Sequence, residues 1–323
     1  MYLPAPDSRV NNRRKRDNVA TVAQWIQGAR LRTLPLAVAP IIAGSAAAYE
    51  VGELHHWRAL LALLVAFFLQ VGVNYANDYS DGIKGTDEVR VGPLRLVGSG
   101  VASPRSVKMA AFVCFGLAML AGLGLVYLSQ QWWFLAIGAS AVLAAWGYTG
   151  GKYPYGYMGL GDVFVFIYFG LVATLGTMFT QTAQLTLTSI VLAVSIGLFS
   201  CGLLMANNVR DIPTDIDAGK RTLAVRLGDT ISRRTYAAEM MLGLGLIVVL
   251  VPNNPWFALV FILIGPVLHS SITVLSGARG LALIPILKQA GFVALAYSLL
   301  AALAVALAPL DVFTEQISVF TGY

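Results

Sequence analysis

Apolar runs about as long as a bilayer is thick recur along this chain, and they restrict its fold more than any other feature. They lie near 34–50, 59–76, 108–128, 132–149, 160–180, 186–206, 235–252, 256–275 and 289–309. Each is roughly 17–22 residues, enough for a helix to cross the hydrocarbon core. Within lipid a backbone must satisfy its own polar groups, so helices are the expected spanning element. The runs are too long and too uniformly apolar for barrel strands. With 57% apolar and 12% charged residues among 323, a water-soluble globule is excluded. The expected architecture is all-α and polytopic, about nine transmembrane helices around a central cavity.

Lysine and arginine set the expected orientation. With nine spans and a cytoplasmic N-terminus, all 22 basic residues except Arg58 fall on one side. Residues 1–28, with Arg9, Arg13, Arg14, Lys15 and Arg16, read as a flexible basic tail able to contact anionic lipid of the bilayer. Residues 29–323 read as one integral membrane domain. No signal peptide is expected, because no apolar core follows the basic stretch until about residue 34. The net charge of +6 is an orientation signal, and no basic stripe with interleaved aromatics points to nucleic acid. Cys114 and Cys201 lie inside predicted spans and read as packing residues.

Two polar clusters interrupt this apolar pattern, and both fall on the predicted cytoplasmic face. The first is Asn74-x-x-Asn77-Asp78-x-x-Asp81 with Asp87 beyond, and the second is Asn207-Asn208-x-Arg210-Asp211-x3-Asp215. Carboxylates at a membrane surface are costly and seldom idle. If the second apolar helix continues, Asn74, Asn77, Asp78 and Asp81 share one face at i, i+3, i+4 and i+7. Asn208, Asp211 and Asp215 do the same if their helix persists past Pro213. A proline there is expected to end the helix near Arg210 and restart it at Pro213. Amides and carboxylates in paired sets suit hard cations, Mg²⁺ above all, which in turn hold phosphate oxygens. Lys84, Arg90 and Arg95 are near enough in sequence to pair with a diphosphate, and Lys220 is the best candidate in the second loop.

Between the clusters runs Lys152-Tyr153-Pro154-Tyr155-Gly156-Tyr157-Met158-Gly159-Leu160-Gly161-Asp162. Lys152, Tyr153 and Tyr157 beside a glycine-rich turn suit an aromatic acceptor pocket, or serve as interfacial anchors. Asp162 opens a span, either as a site residue or as a partner to the helix dipole. The recurrence of an Asn-rich turn, then Asp, then a basic loop in each half hints at duplication around a shared cavity.

These residues resemble the two signatures of the UbiA superfamily of intramembrane prenyltransferases. Within it, the strings Asn77 to Asp87, Arg90-Val91-Gly92-Pro93-Leu94-Arg95, Tyr153 to Asp162 and Gly219 to Gly228 are similar to the branch that prenylates 1,4-dihydroxy-2-naphthoate in menaquinone synthesis. The resemblance covers roughly 25–310. Five residues separate Asp81 from Asp87 where much of the superfamily has three, a spacing that looks typical of the naphthoate branch. The resemblance implies two Mg²⁺ held by Asn77, Asp78, Asp81, Asp211 and Asp215, binding the diphosphate of a polyprenyl diphosphate. Lys84, Arg210 and Lys220 would neutralise the leaving group, with Arg90 and Arg95 also on the diphosphate. Asn74 and Asn208 would line the cavity. Asp87 would orient the acceptor hydroxyl or accept a proton. It also implies a multi-pass protein of the cell membrane with its active site on the cytoplasmic side. Rival readings are transfer to 4-hydroxybenzoate or homogentisate, an ion-coupled transporter, and a membrane scaffold. Transport acids belong in mid-span, whereas these lie at one face.

Overall fold

The computed structural model describes residues 20–85 and 94–308. Among them the chain is helical throughout, without strands. It opens on α1, Val22–Ala29, whose N-terminus is closed by Thr21 and Gln24 in a reciprocal capping box. Tyr75 donates its hydroxyl hydrogen to the Trp25 carbonyl at 2.9 Å, and the two rings meet edge to face. The end of the expected flexible tail is therefore a capped helix, held because its aromatic face finds a partner.

The remaining helices are α2 (Pro35–Glu50), α3 (His56–Ile83), α4 (Pro104–Ser129), α5 (Phe134–Gly147), α6 (Gly161–Thr182), α7 (Leu187–Asp217), α8 (Leu223–Gly245), α9 (Pro255–Leu275) and α10 (Gly280–Leu307). Helix is thus present in each of the predicted apolar stretches. Among the described residues six helices, α3, α4, α6, α7, α9 and α10, are long and apolar enough to cross a membrane. A seventh crossing results if α1 and α2, bent by 47°, count as one. The set is smaller than the nine spans read from hydropathy, because α5 is short and α8 carries Arg226, Asp229, Arg233, Arg234 and Glu239.

Three side chains show that the helices alternate in direction. Arg58, at the start of α3, donates to the carbonyls of Thr180 and Gln181 at the end of α6 and of Leu128 at the end of α4. Asn254, just before α9, donates to the Ala304 carbonyl near the end of α10. At the other face Arg233, early in α8, donates to the carbonyls of Val274 and Ala278 at the end of α9. The end of α3, the α5–α6 connection and the turn before α8 gather on this second face, opposite Arg58.

The core has two main parts. One gathers Phe199, Met205, Tyr236, Met240, Val267 and Tyr297 around α7, and the other packs Leu96, Val107 and Phe115 onto α3. Helix α7 is the most enclosed of the crossing helices. It meets α6 at Gly170 and Gly197, where a Cβ on Gly170 would stand 2.5 Å from the Gly197 Cα. Close backbone approach through small residues is the usual device for joining helices in lipid. The same stretch of α6, Phe166–Val172, is wound as a π-helix. Helix α7 also passes unbroken through Pro213, contrary to the predicted break. Pro213 removes one N–H from a ladder of 31 residues, and the buried face on both sides of it holds the remaining turns in line. An apolar groove between α2, α3 and α10, lined by Ile41, Tyr49, Leu60 and Ala302 among others, opens away from the acidic clusters and is not the candidate site.

Candidate active site

Because α3 runs without interruption to Ile83, Asn74, Asn77, Asp78 and Asp81 lie along one stripe of it, as the spacing predicts. The continuity of α7 puts Asn208, Asp211 and Asp215 on a stripe of their own, all three buried. Side chains from the two halves of the chain then meet. The Lys220 ammonium sits 3.2 Å from Asp81 Oδ1, with both side chains almost fully buried. Tyr157 donates its hydroxyl hydrogen to that same oxygen. A buried ion pair is a poor source of stability, since desolvation offsets its attraction. Its persistence here points to chemistry.

Lys220 reaches Asp81 because α7 ends in a tight turn. Gly219 takes a φ of 70°, a conformation other residues rarely adopt, and the Lys220 N–H then closes onto the Asp215 carbonyl at 2.7 Å. The Arg221 N–H donates to the Tyr157 carbonyl at 3.0 Å, joining this turn to the Tyr155–Met158 turn. Lys84 approaches from the end of α3, donating to the Thr149 carbonyl at 2.7 Å. Its ammonium and that of Lys220 each lie 4.7 Å from the centre of the Tyr157 ring. Desolvation lowers the Lys84 pKa; Asp81 opposes the shift and Lys220 adds to it.

Other predicted residues are already engaged. Asp78 is fully buried, and its two oxygens accept the N–H groups of Leu96 and Val97 at 2.8 and 2.9 Å, pinning the turn that follows Leu94. Arg95 is buried in that turn. Asn77 accepts a hydrogen bond from the Thr149 hydroxyl at 2.8 Å. Arg210 grips Asp211 with two bonds of 2.7 Å and Asn207 with one of 2.8 Å. Thr222 reaches Asp215 at 3.5 Å.

Some expected cavity residues lie elsewhere. Asn74 donates to the Ala29 carbonyl and the Thr33 hydroxyl, so it ties α3 to the corner between α1 and α2. Lys152 and Tyr153 are exposed and lie against one another. Asp162 is buried in the first turn of α6, where the helix dipole favours a negative charge, and among the described residues no other residue donates to its carboxylate. Asp87 and Arg90 lie outside the described residues. Sequence reasoning missed Thr149, which serves both Asn77 and Lys84. Its one signal is its place in the glycine-rich Tyr148-Thr149-Gly150-Gly151 corner at the end of α5.

The donors around both motifs are oxygens, as a hard cation requires. Among the described residues no three Asp, Glu, His or Cys side chains come together to form a metal cage. Mg²⁺ is seldom caged by protein alone; it takes one or two carboxylates and completes its octahedron with water and phosphate oxygens. The residues fit a cation shared with a phosphate ligand.

Residues 37–279, from α2 to just past α9, match the model of the UbiA prenyltransferase family. The chain belongs to that family. It is 48% identical over 293 residues to the 1,4-dihydroxy-2-naphthoate octaprenyltransferase of Mycobacterium tuberculosis, covering 91% of this chain and 100% of the relative. It is 40% identical over 229 residues to the Escherichia coli protein of the same name, covering 69% of this chain and 74% of that one. A UbiA homolog from Archaeoglobus fulgidus, solved bound to DMAPP and Mg²⁺, superposes with a TM-score of 0.62 at 13% identity. That overlap covers 88% of this chain and 100% of the homolog, and at such low identity it bears on the fold. In this UbiA chain, then, α3 and α7 are the helices that bring the two polar clusters to one face.

Proposed function

We propose that this protein transfers a polyprenyl group from polyprenyl diphosphate to 1,4-dihydroxy-2-naphthoate, with decarboxylation, giving demethylmenaquinol. The observation that carries the reading is the meeting of Asp81 and Lys220, an acid from the first motif and a lysine from the turn just after the second, beside Lys84. The acceptor follows from the two relatives, whose names specify the naphthoate.

Two Mg²⁺ ions, when bound, would neutralise the diphosphate oxygens and hold them in place. Asp81, Asp211 and Asp215, with Asn77, are the side chains to hold them. Asp78 belongs to the same stripe, and its share of the task is to hold the turn after Leu94. Arg210 orients Asp211 through its bidentate grip. Lys84 and Lys220 supply positive charge where negative charge develops on the leaving diphosphate, so the allylic C–O bond breaks without a protein nucleophile. The acceptor ring attacks the allylic carbon as that bond opens and diphosphate leaves; its carboxylate departs as carbon dioxide, so the ring exchanges one carboxylate for one prenyl group with no net loss of a ring proton. Asp87 is assigned to orient the acceptor hydroxyl or take up a proton. The positive-inside distribution of Lys and Arg supports a cell-membrane protein with this face in the cytoplasm.

The test is prenyl transfer by protein reconstituted in lipid, supplied with dihydroxynaphthoate, a polyprenyl diphosphate and either Mg²⁺ or chelator. The expected result is Mg²⁺-dependent prenylated, decarboxylated quinol, reduced at least a hundredfold in Asp81→Ala and Asp211→Ala, on the scale of a lost electrostatic contact to the transition state (about 10²–10³). Transfer only to 4-hydroxybenzoate or homogentisate would change the acceptor. Absence of transfer to any acceptor by folded protein would defeat the enzyme reading.

A further inference from the structure

We propose that Tyr157 is a positioning residue for the diphosphate end of the site, with separate tasks for its ring and its hydroxyl; the proposal rests on the prenyl-transfer reading above. The ring is shared by two cations, Lys84 and Lys220, each 4.7 Å from its centre. Like charges brought this near one another repel, and the negative face of an aromatic ring is one of few neutral surfaces that attracts both. Each lysine is anchored on another side as well, Lys84 by the Thr149 carbonyl and Lys220 by Asp81. Tyr157 therefore fixes the spacing of two ammonium groups that come from helix ends far apart in sequence. The main chain that carries the ring is tied to the Lys220 turn, because the Tyr157 carbonyl accepts the Arg221 N–H at 3.0 Å. A movement of the Lys220 turn carries the ring with it.

The hydroxyl has a different task. It donates to Asp81 Oδ1, the oxygen that also accepts from Lys220. Two donors on one carboxylate oxygen neutralise it in the absence of a divalent cation, and a cation taking that oxygen must displace them. Displacement would free Lys220 from Asp81 while the ring keeps it beside Lys84, so both ammonium groups would be available to the diphosphate. The ring thus pre-organises the anion site, and the hydroxyl is a placeholder on the metal-facing acid.

The two tasks separate in two variants. Tyr157→Phe keeps the ring and loses the placeholder. Its KM for the polyprenyl diphosphate should stay within about twofold of wild type, and its half-saturating Mg²⁺ concentration should fall. Tyr157→Leu loses both. Its KM for the donor should rise roughly tenfold, the scale of desolvated cation–ring contacts, with the acceptor KM unchanged. Binding of Mg²⁺-pyrophosphate to the lipid-reconstituted protein, measured by calorimetry, should follow the donor KM across the series. That arm requires no turnover, so it tests Tyr157 even if the acceptor is misassigned or transfer fails. A rise in acceptor KM with unaltered pyrophosphate affinity in Tyr157→Leu would overturn the proposal and return Tyr157 to an acceptor wall. Equal loss of pyrophosphate affinity in the Phe and Leu variants would overturn the division between ring and hydroxyl.

Discussion

Asp78 and Asp81 sit one turn apart on the same stripe of α3, yet the surrounding chain uses them differently. Asp81 faces a lysine and a phenol; Asp78 faces two backbone amides. Spacing alone makes them equivalent, and nothing local in sequence indicates that Leu96 and Val97 fold back onto the first of them. The difference is measurable. Asp78→Ala removes two charge-assisted hydrogen bonds and leaves two amides without their acceptor, a loss of roughly 1.5–3 kcal/mol for each bond. The expected outcome is a lower unfolding temperature in detergent, with Asp78→Asn intermediate because it keeps one acceptor oxygen. Asp81→Asn strips Lys220 of its buried counter-ion and so lowers stability as well, but of the two substitutions it alone should abolish the response to Mg²⁺. The reverse pattern would make Asp78 the metal-facing acid.

Helices obey the same division between local signal and context. Hydropathy located every helix but α1, which falls in the expected tail, and the asparagines at the ends of α3 and α7 marked where apolar helix turns into site. Pro213 misled, because proline propensity describes a helix alone and α7 is packed along most of its length. The crossing of α6 and α7 shows what such packing demands. Gly170→Ala would put a methyl 2.5 Å from the Gly197 Cα and 2.8 Å from the Ala193 carbonyl oxygen, both backbone atoms that cannot give way. Gly197→Ala would meet the Phe166 ring at 2.7 Å, a side chain that can rotate. Overpacking of this kind costs about 1–3 kcal/mol. Gly170→Ala should therefore lower thermal stability more than Gly197→Ala, and equal losses would show that the π-helical stretch relaxes.

Across the whole molecule, one face carries Arg58 and its three carbonyl bonds, and the opposite face carries both acidic motifs with the lysines that join them. The proposed orientation can be read from outside the cell. With Cys114 and Cys201 replaced by alanine, Glu53→Cys on the Arg58 face should react with a membrane-impermeant maleimide added to intact cells. Lys152→Cys on the motif face should react only after the membrane is opened. The opposite pattern would invert the topology and place the diphosphate site outside.

The sequence by itself determined the all-helical membrane class, the predicted division of charge between two faces, and the two polar stripes. Hydropathy, charge and helical period are properties of neighbouring residues, so they are legible in a linear string. Only the tertiary structure decided which members of those stripes meet. Asp81 and Lys220 are 139 positions apart, Asp81 and Tyr157 76, and Asn77 and Thr149 72. It likewise drew Asn74 away to the α1–α2 corner and left Lys152 and Tyr153 at the surface. A hydrogen bond is specific only within about 3.5 Å, and contacts that short between distant residues exist only once packing has fixed both helices.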